Sequence, residues 1–412
     1  MKFTIIVLTW MLCSGSIFSQ TLDLRNINLK ELNSETKTDF KEQFIDARIV
    51  ILGEQTHGIG TEYEAFAHLV KFLHEELNFN VLIQEYCFFS MHQIDKKVEQ
   101  EQSSQEYRKA MYWPQGKTNE YNKLFGYLDL QKETQAPIRV EGFDSRIANQ
   151  TKLKSWIEKL VTETPSYYSD SKKRSQFLAV LHQVIDLEYR DSLSTLTEKT
   201  EVLQYLDYLI DYKTSIRGVN REVQQLRSLR AFAKNAWNIE KYSDKDIRRY
   251  HHRERQMAEN LIWLIDSVYP NEKIIVHMHN GHAAKNIRLF QEYTNDPTGE
   301  QNITVGDIVF KKYDEESKII ATTAYSGTHS KWDFKPISVP KPHTESLESK
   351  LHNQGLAYAY FNLEQQKEPF YMFFNDFNNW KPSGEIKAPY SMLFDAVLFY
   401  DRVNAPTRIE GK

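Results

Sequence analysis

The sequence predicts an α/β protein: a central mixed, mostly parallel sheet flanked by helices, with a large helical insert or lid. Three observations carry this reading. In the first 150 residues short β-branched runs alternate with helix-like stretches, the pattern of strands joined by crossover helices. From 152 to 268 the strand signals disappear and apolar residues recur at helical spacing. Two histidine-bearing segments about 220 residues apart each leave an apolar run for polar residues and glycine, as strands do where they enter a loop.

The elements follow in chain order. A strand is predicted over Ala47 to Gly53, a helix from about Thr61 to Leu77, a strand over Asn80 to Glu85 and a helix opening near Phe88. Pro137 to Asp144 is the next strand, so three early strands end in Glu54, Glu85 and Asp144. In the insert, spanning about 150–268, Phe177, Leu181, Val184 and Leu187 mark one helix face, and Leu203, Leu209, Leu226 and Phe232 continue the pattern. Tyr189 and Arg190 would suit a wall over an extended ligand, although packed, solvated helices explain the same pattern. Ile274 to Val276 form a strand that delivers His277, His279 and His282. Ile303 to Phe310 and Ile319 to Tyr325 are both β-rich and read as neighbouring strands of the same sheet. The stretch from about Gly327 to His352 reads as a long surface loop, ahead of a final strand at Asp395 to Tyr400.

Size and charge bound the function. The 412 residues, with 41% hydrophobic content, suffice for a substantial core and for one large or two ordinary domains, and a single domain over 21–412 is the expectation. A net charge of −4 without long Lys or Arg runs lacks the footprint of a nucleic-acid binder. Lys2, the apolar Phe3 to Cys13 and the small Ser14, Gly15 and Ser16 have the layout of a cleavable export signal over residues 1–20. The expected mature protein is secreted or periplasmic, with no stable membrane insertion after cleavage. Leu12 before Cys13 argues against a lipid anchor. With the signal removed Cys87 stands alone, so no intrachain disulfide forms; it reads as a buried small hydrophobe.

The chemistry concentrates at the strand ends, where open α/β sheets bind ligands. Glu54 and His57 stand three residues apart in a glycine-flanked turn, close enough for the carboxylate to set the imidazole tautomer and raise its basicity. With an ordinary pKa of about 6.5, histidine suits the deprotonation of water at neutral pH. His57 is the first-choice general base, and water is a better nucleophile than Ser90 or Cys87, because no G-x-S-x-G elbow occurs. His277, His279 and His282 with Glu54 and Glu85 equally offer enough donors for zinc, although the H-E-x-x-H pattern is absent. For His68, His74, His92, His251 and His252 a hydrogen-bonded structural role is the expectation.

At Gly53-Glu54-Gln55-Thr56-His57-Gly58, then Phe79 to Glu85, Glu141-Gly142-Phe143-Asp144, Arg253 to Asn260, His279-Asn280-Gly281-His282 and Asp395-Ala396-Val397, the chain resembles the erythromycin esterase family of macrolide-lactone hydrolases. The order of the motifs matches and covers most of the mature chain. The resemblance implies an α/β core with a helical subdomain and a cleft, and metal-independent attack of water on an ester. By carry-over His57 is the base, Glu54 and Glu85 orient base and water, and His279 polarises the ester carbonyl. His282, Asp144 and Arg253 are carried over as substrate-binding positions, with no metal and no cofactor. The implied partner is a small-molecule ester or macrolide. The family also carries basic residues on the helix after the first motif, where this chain has Glu64, Phe66 and His68. The competing readings are a haem- or metal-binding protein of similar fold and a zinc-dependent hydrolase.

Overall fold

The computed structural model describes residues 21–410 apart from 26, 102, 112–114, 166–170, 188–193, 238–250, 291–292, 294–302, 332 and 374–384. The proposed export signal, with Cys13, and the wall residues Tyr189 and Arg190 lie outside the described residues. In chain order the elements are β1 (Thr21–Asp23), α1 (Ser34–Glu42), β2 (Ile49–Glu54), α2 (Gly60–Leu77), β3 (Phe79–Cys87), α3 (Phe88–Glu101), α4 (Asn122–Gln131) and β4 (Arg139–Asp144). Then come α5 (Gln150–Glu163), α6 (Ser171–Leu187), α7 (Leu196–Arg217), α8 (Arg221–Trp237), α9 (His251–Trp263), β5 (Lys273–His279), α10 (Asn280–Ala283), α11 (Ile287–Phe290) and α12 (Val305–Tyr313). The chain ends through β6 (Ser317–Ser330), β7 (Pro336–Ser338), α13 (Leu347–Asn353), β8 (Tyr358–Asn362), β9 (Phe370–Phe373), β10 (Glu385–Ala388) and β11 (Ala396–Val403).

Nine strands make one mixed sheet in the order β1-β8-β11-β6-β2-β5-β3-β4, with β7 on β6; β9 and β10 pair separately. The six strands from β11 to β4 are parallel, and β8, β1 and β7 are added antiparallel. Strands buried on both faces must be apolar at consecutive positions, as β2 is. Val50 and Leu52 pack with α1, α2 and α4, while Ile49 and Ile51 pack with α9, α12 and α13 on the opposite face. Helices α5 to α8 bury a separate core around Ile157, Leu181, Leu206 and Leu226, joined to the sheet through Cys87 and Phe89.

Two expectations are corrected. Residues 303–310 are not a strand: Val305–Tyr313 is helical. Thr304 and Asp307 form a capping box, in which the Thr304 hydroxyl accepts the Asp307 amide and the Asp307 carboxylate accepts the Thr304 amide. Val305, Val309 and Tyr313 then recur every four residues as a buried helix face. Nor is 327–352 a continuous loop. β6 runs on to Ser330 and pairs with β7, and Leu347–Asn353 is helical behind a Ser346 cap.

Candidate active site

Register places the site. In the β2–β5 pair Glu54 lies opposite His279, and in the β3–β5 pair Gln84 lies opposite His277, so Glu85 reaches the same sheet edge. The β3–β4 register shifts between Gln84 and Cys87 and brings Asp144 opposite Cys87. Such an irregularity re-aims side chains at a strand end. Glu54, Glu85, Asp144 and His279 therefore meet where four adjacent parallel strands finish.

Two glycines permit the close approaches this requires. A Cβ on Gly53 would stand 2.1 Å from Asn280 Oδ1, and one on Gly58 would stand 1.8 Å from the Ser330 carbonyl. Asn280 fills the space above Gly53: its amide donates to the Thr322 carbonyl at 2.9 Å and its oxygen accepts the Thr322 amide at 3.2 Å. That clamp ties the turn after β5 to β6 and fixes where His279 leaves the sheet.

The His57 Nδ1–H donates to Glu54 Oε2 over 2.8 Å, which leaves Nε2 as the nitrogen carrying the lone pair. The carboxylate is buried while the imidazole is 43% exposed, so the ring is held from below and open to solvent. Burial acts to raise the Glu54 pKa, but His57, His277 and His279 outweigh it and hold the carboxyl below its ordinary range. The Tyr63 hydroxyl donates to the His57 carbonyl at 2.5 Å and anchors the turn. Beneath Glu54 lies Glu62 of α2, whose Oε2 accepts the Gln55 amide at 3.2 Å. Burial and the Glu54 charge push Glu62 well above the carboxylate range, which favours its protonated form beneath the dyad.

His279 stands next to His57, with ring centroids 5.2 Å apart, and His282 follows with its centroid 6.2 Å from His279. His279 Nδ1 accepts the Gly281 amide at 3.3 Å, which puts the ring proton on Nε2 and makes that nitrogen a donor. His277 shares the α2 side of β5 but serves packing: it is buried and stacks on Phe66 at 3.9 Å. Burial pushes its pKa down.

Arg253 of α9 organises the far side. Nε and Nη2 grip both oxygens of Asp144 at 3.0 and 2.8 Å, and Nη2 also donates to Glu85 Oε1 at 2.7 Å. Glu85 Oε2 accepts the His279 backbone amide at 3.0 Å, and His282 Nε2 lies 3.3 Å from Glu85 Oε1. Protein donors thus occupy three of the roughly four acceptor sites of this carboxylate, leaving about one for water. Against the penalty of burial, His282, Arg253 and His57 hold Glu85 well below its ordinary pKa. His282 Nδ1 meets Glu254 Oε1 at 2.5 Å. Burial opposes its charge, yet Glu254 and Glu85 raise its pKa to about 10, so it is a cation at neutral pH.

The structure brings the predicted His57, Glu54, Glu85, His279 and His282 to one sheet edge, with the predicted substrate contacts Asp144 and Arg253 beside Glu85. Asp144 has no exposed surface and Arg253 is 5% exposed; Asp144 is gripped by Arg253, whose nitrogens are shared among Asp144, Glu85 and His282. Their geometry is that of groups that position Glu85 and His282. His282 Nδ1 is on Glu254, and its Nε2 lies 3.3 Å from Glu85 Oε1 and 3.1 Å from Arg253 Nη1, so what it offers a ligand is charge rather than a free N–H. Sequence reasoning assigned no role to Glu62 or Glu254. Glu254 stands beside Arg253 in the chain, but only the turn of α9 shows that it faces His282. His74 is structural as expected, bonded to the Tyr127 hydroxyl at 2.6 Å and the Ala136 carbonyl at 2.9 Å. Among the described residues no three His, Cys, Asp or Glu side chains are arranged to hold a metal ion.

The family model "Erythromycin esterase" matches residues 74–403, beginning just after the first motif. The chain belongs to the erythromycin esterase family. A Bacillus subtilis (strain 168) protein named "Putative hydrolase YbfO" is 26% identical over 364 residues, which is 81% of this chain and 77% of that one. A Bacillus cereus protein of known structure superposes with a TM-score of 0.70 at 17% identity, covering 95% of this chain and 97% of the other. A succinoglycan biosynthesis protein also gives 0.70, at 15% identity and coverages of 94% and 96%. A histidine-to-asparagine mutant of the erythromycin esterase EreC, in its open conformation, gives 0.64 at 13% identity, with coverages of 94% and 98%. At these identities the structural likeness establishes the fold that the family shares.

Proposed function

We propose that this protein is a hydrolase of carboxylic esters or macrolide lactones in which His57 activates water. One observation carries the reading: a Glu54–His57 dyad at 2.8 Å stands beside the donor ring of His279, where four parallel strands end. Membership of the erythromycin esterase family and the name of the Bacillus subtilis relative support a hydrolase with a small-molecule substrate. His57 Nε2 takes a proton from water, and the hydroxide adds to the ester carbonyl carbon. The His279 Nε2–H and the positive charge of His282 stabilise the resulting oxyanion. As the tetrahedral intermediate collapses, the carbon–oxygen bond to the leaving group breaks and His57 returns its proton to the departing alkoxide. The products are a carboxylate and an alcohol, joined in one molecule when the substrate is a lactone.

Glu54 stabilises the imidazolium that exists between the two proton transfers. Arg253, itself gripped by Asp144, keeps Glu85 charged and fixed, and Glu254 and Glu85 keep His282 charged, without Arg253 or Asp144 meeting the ester. The test is mass spectrometry of erythromycin, small lactones and acyl esters after incubation with the protein. The reading expects a gain of one water in at least one of them, and a panel left wholly intact would remove it.

We further propose export, supported by the layout of residues 1–20; no helix among the described residues is long and apolar enough to cross a membrane. Amino-terminal sequencing of the protein recovered from the producing cells tests this. A chain still beginning at Met1 would contradict it.

A further inference from the structure

Two carboxyls, not one, are buried under the base. Glu54 and Glu62 are 2% and 4% exposed, and among the described residues neither forms an ion pair with Lys or Arg. The imidazole of His57 is bonded to Glu54 Oε2. Glu62 instead turns its Oε2 to the Gln55 amide, at 3.2 Å, in the turn that joins Glu54 to His57. Oε1 of each carboxyl is buried and accepts no hydrogen bond of ordinary geometry.

Glu62 also borders a small cavity of about 10 Å³ between α2 and the sheet, with Thr322, His277, Phe66 and Tyr400 on its walls. No cation stands there. His277 stacks on Phe66 at 3.9 Å and burial pushes its pKa down, while burial and the Glu62 charge push the Tyr400 hydroxyl up. Burial and the Glu54 charge likewise push up Tyr63, next to Glu62 in α2. The Thr322 hydroxyl can serve either form of the acid.

Two buried carboxyls that share one imidazole cannot both hold a charge without a large cost. The Gln55 amide, the Thr322 hydroxyl and the first turn of α2 favour an anion at Glu62, but burial and the Glu54 charge outweigh them. We infer that Glu62 is a positioning residue for the general base: it stays a carboxylic acid, anchors the turn at Gln55, and leaves the pair's single negative charge on Glu54. The inference rests on the reading of His57 as that base. A second charge under the turn would strengthen the hold of His57 on its proton, and a protonated Nε2 cannot take one from water. With Glu62 neutral, that lone pair stays available near neutral pH.

Infrared difference spectra and imidazole NMR of the whole chain test this without substrate. At neutral pH, wild type minus Glu62→Gln should show the carbonyl stretch of one protonated carboxyl. The His57 titration midpoint should coincide in the two proteins, since a neutral amide replaces a neutral acid. An ionised Glu62 would leave that stretch out of the difference, and its removal would lower the His57 midpoint by about one unit. Either result would overturn the inference. On a cleaved ester, Glu62→Leu strands the Gln55 amide and should lower kcat about tenfold. Glu62→Gln should restore most of that loss, and a Glu62→Gln no better than Glu62→Leu would also overturn the inference. Should Glu62→Gln fail to fold, Glu54→Gln supplies the second measurement. With the neighbouring charge gone, the protonated carboxyl should titrate at lower pH than in the wild type, and an unmoved titration would overturn the inference. The spectra can fail while an ester is cleaved, and the ester panel can fail while the spectra hold, so the two readings are tested apart.

Discussion

Replacing Glu54 by Gln probes the chemistry with little change in shape. The carboxylate is buried and accepts the His57 Nδ1–H at 2.8 Å. In the proposed proton transfer from water His57 becomes a cation, and that charge would sit about 4 Å from the centre of the Glu54 charge. At an effective dielectric near 20 such a pair is worth about 4 kcal/mol. Each 1.36 kcal/mol is about tenfold in rate, so loss of the full attraction predicts about a thousandfold fall in kcat. Compensation comes from Glu62, whose ionisation is suppressed by the Glu54 charge and which would more readily supply a carboxylate once that charge is gone. The expected fall is therefore about a hundred- to a thousandfold. The acid limb of the rate profile should also move to lower pH, since an imidazole without its carboxylate gives up its proton more easily. The assay is ester hydrolysis against pH for both proteins, with a melting curve for each. A folded Glu54→Gln protein that loses less than about fivefold in kcat would refute the dyad as the source of basicity.

Arg253→Met strands Glu85 and Asp144 without their cation, so stability should fall by about 3–5 kcal/mol in urea titration; a loss below about 1 kcal/mol would show that the cluster is balanced elsewhere. The His282 pKa is raised in the folded protein from 6.5 to about 10, so its stabilising contribution is complete below pH 6.5 and is lost as pH rises through about 10. Glu254→Gln should flatten the decline of the urea midpoint across that interval, and an unchanged slope would contradict the assignment. Hydrolysis should survive exhaustive dialysis against a chelator, because His282 has Nδ1 on Glu254 and Nε2 between Glu85 and Arg253, and His57 Nδ1 is bonded to Glu54. Activity lost on dialysis and restored by zinc would favour the metal-dependent alternative.

The sheet edge that carries the candidate site was legible because its information is local. Strands buried on both faces must be short β-branched runs, so Ile49 to Leu52 and Ile274 to Val276 announced themselves, and their polar ends followed directly. The i, i+3 spacing of Glu54 and His57 already contained the dyad. Less legible was whatever depends on partners far apart in the chain. Arg253 meets Asp144 across 109 positions and Glu85 across 168, and no periodicity indicates that these groups neutralise one another instead of meeting substrate. The same limit hid Glu62, which looks like an ordinary acid in a first helical turn until α2 is packed under Glu54. At 303–310 two local signals competed. The β-branched residues favoured a strand, but the Thr304–Asp307 box and the four-residue apolar repeat won. The strands Tyr358–Asn362 and Phe370–Phe373 were missed because they are short, with little apolar alternation of their own.

The most direct test of direct water attack is a single turnover of a cleaved ester in ¹⁸O-labelled water, with the protein in excess. The proposed mechanism predicts one ¹⁸O in the carboxylate of the first product formed, no mass added to the protein, and no product from His57→Ala over the same interval. An unlabelled first product together with an acylated protein, or an undiminished turnover in His57→Ala, would contradict it.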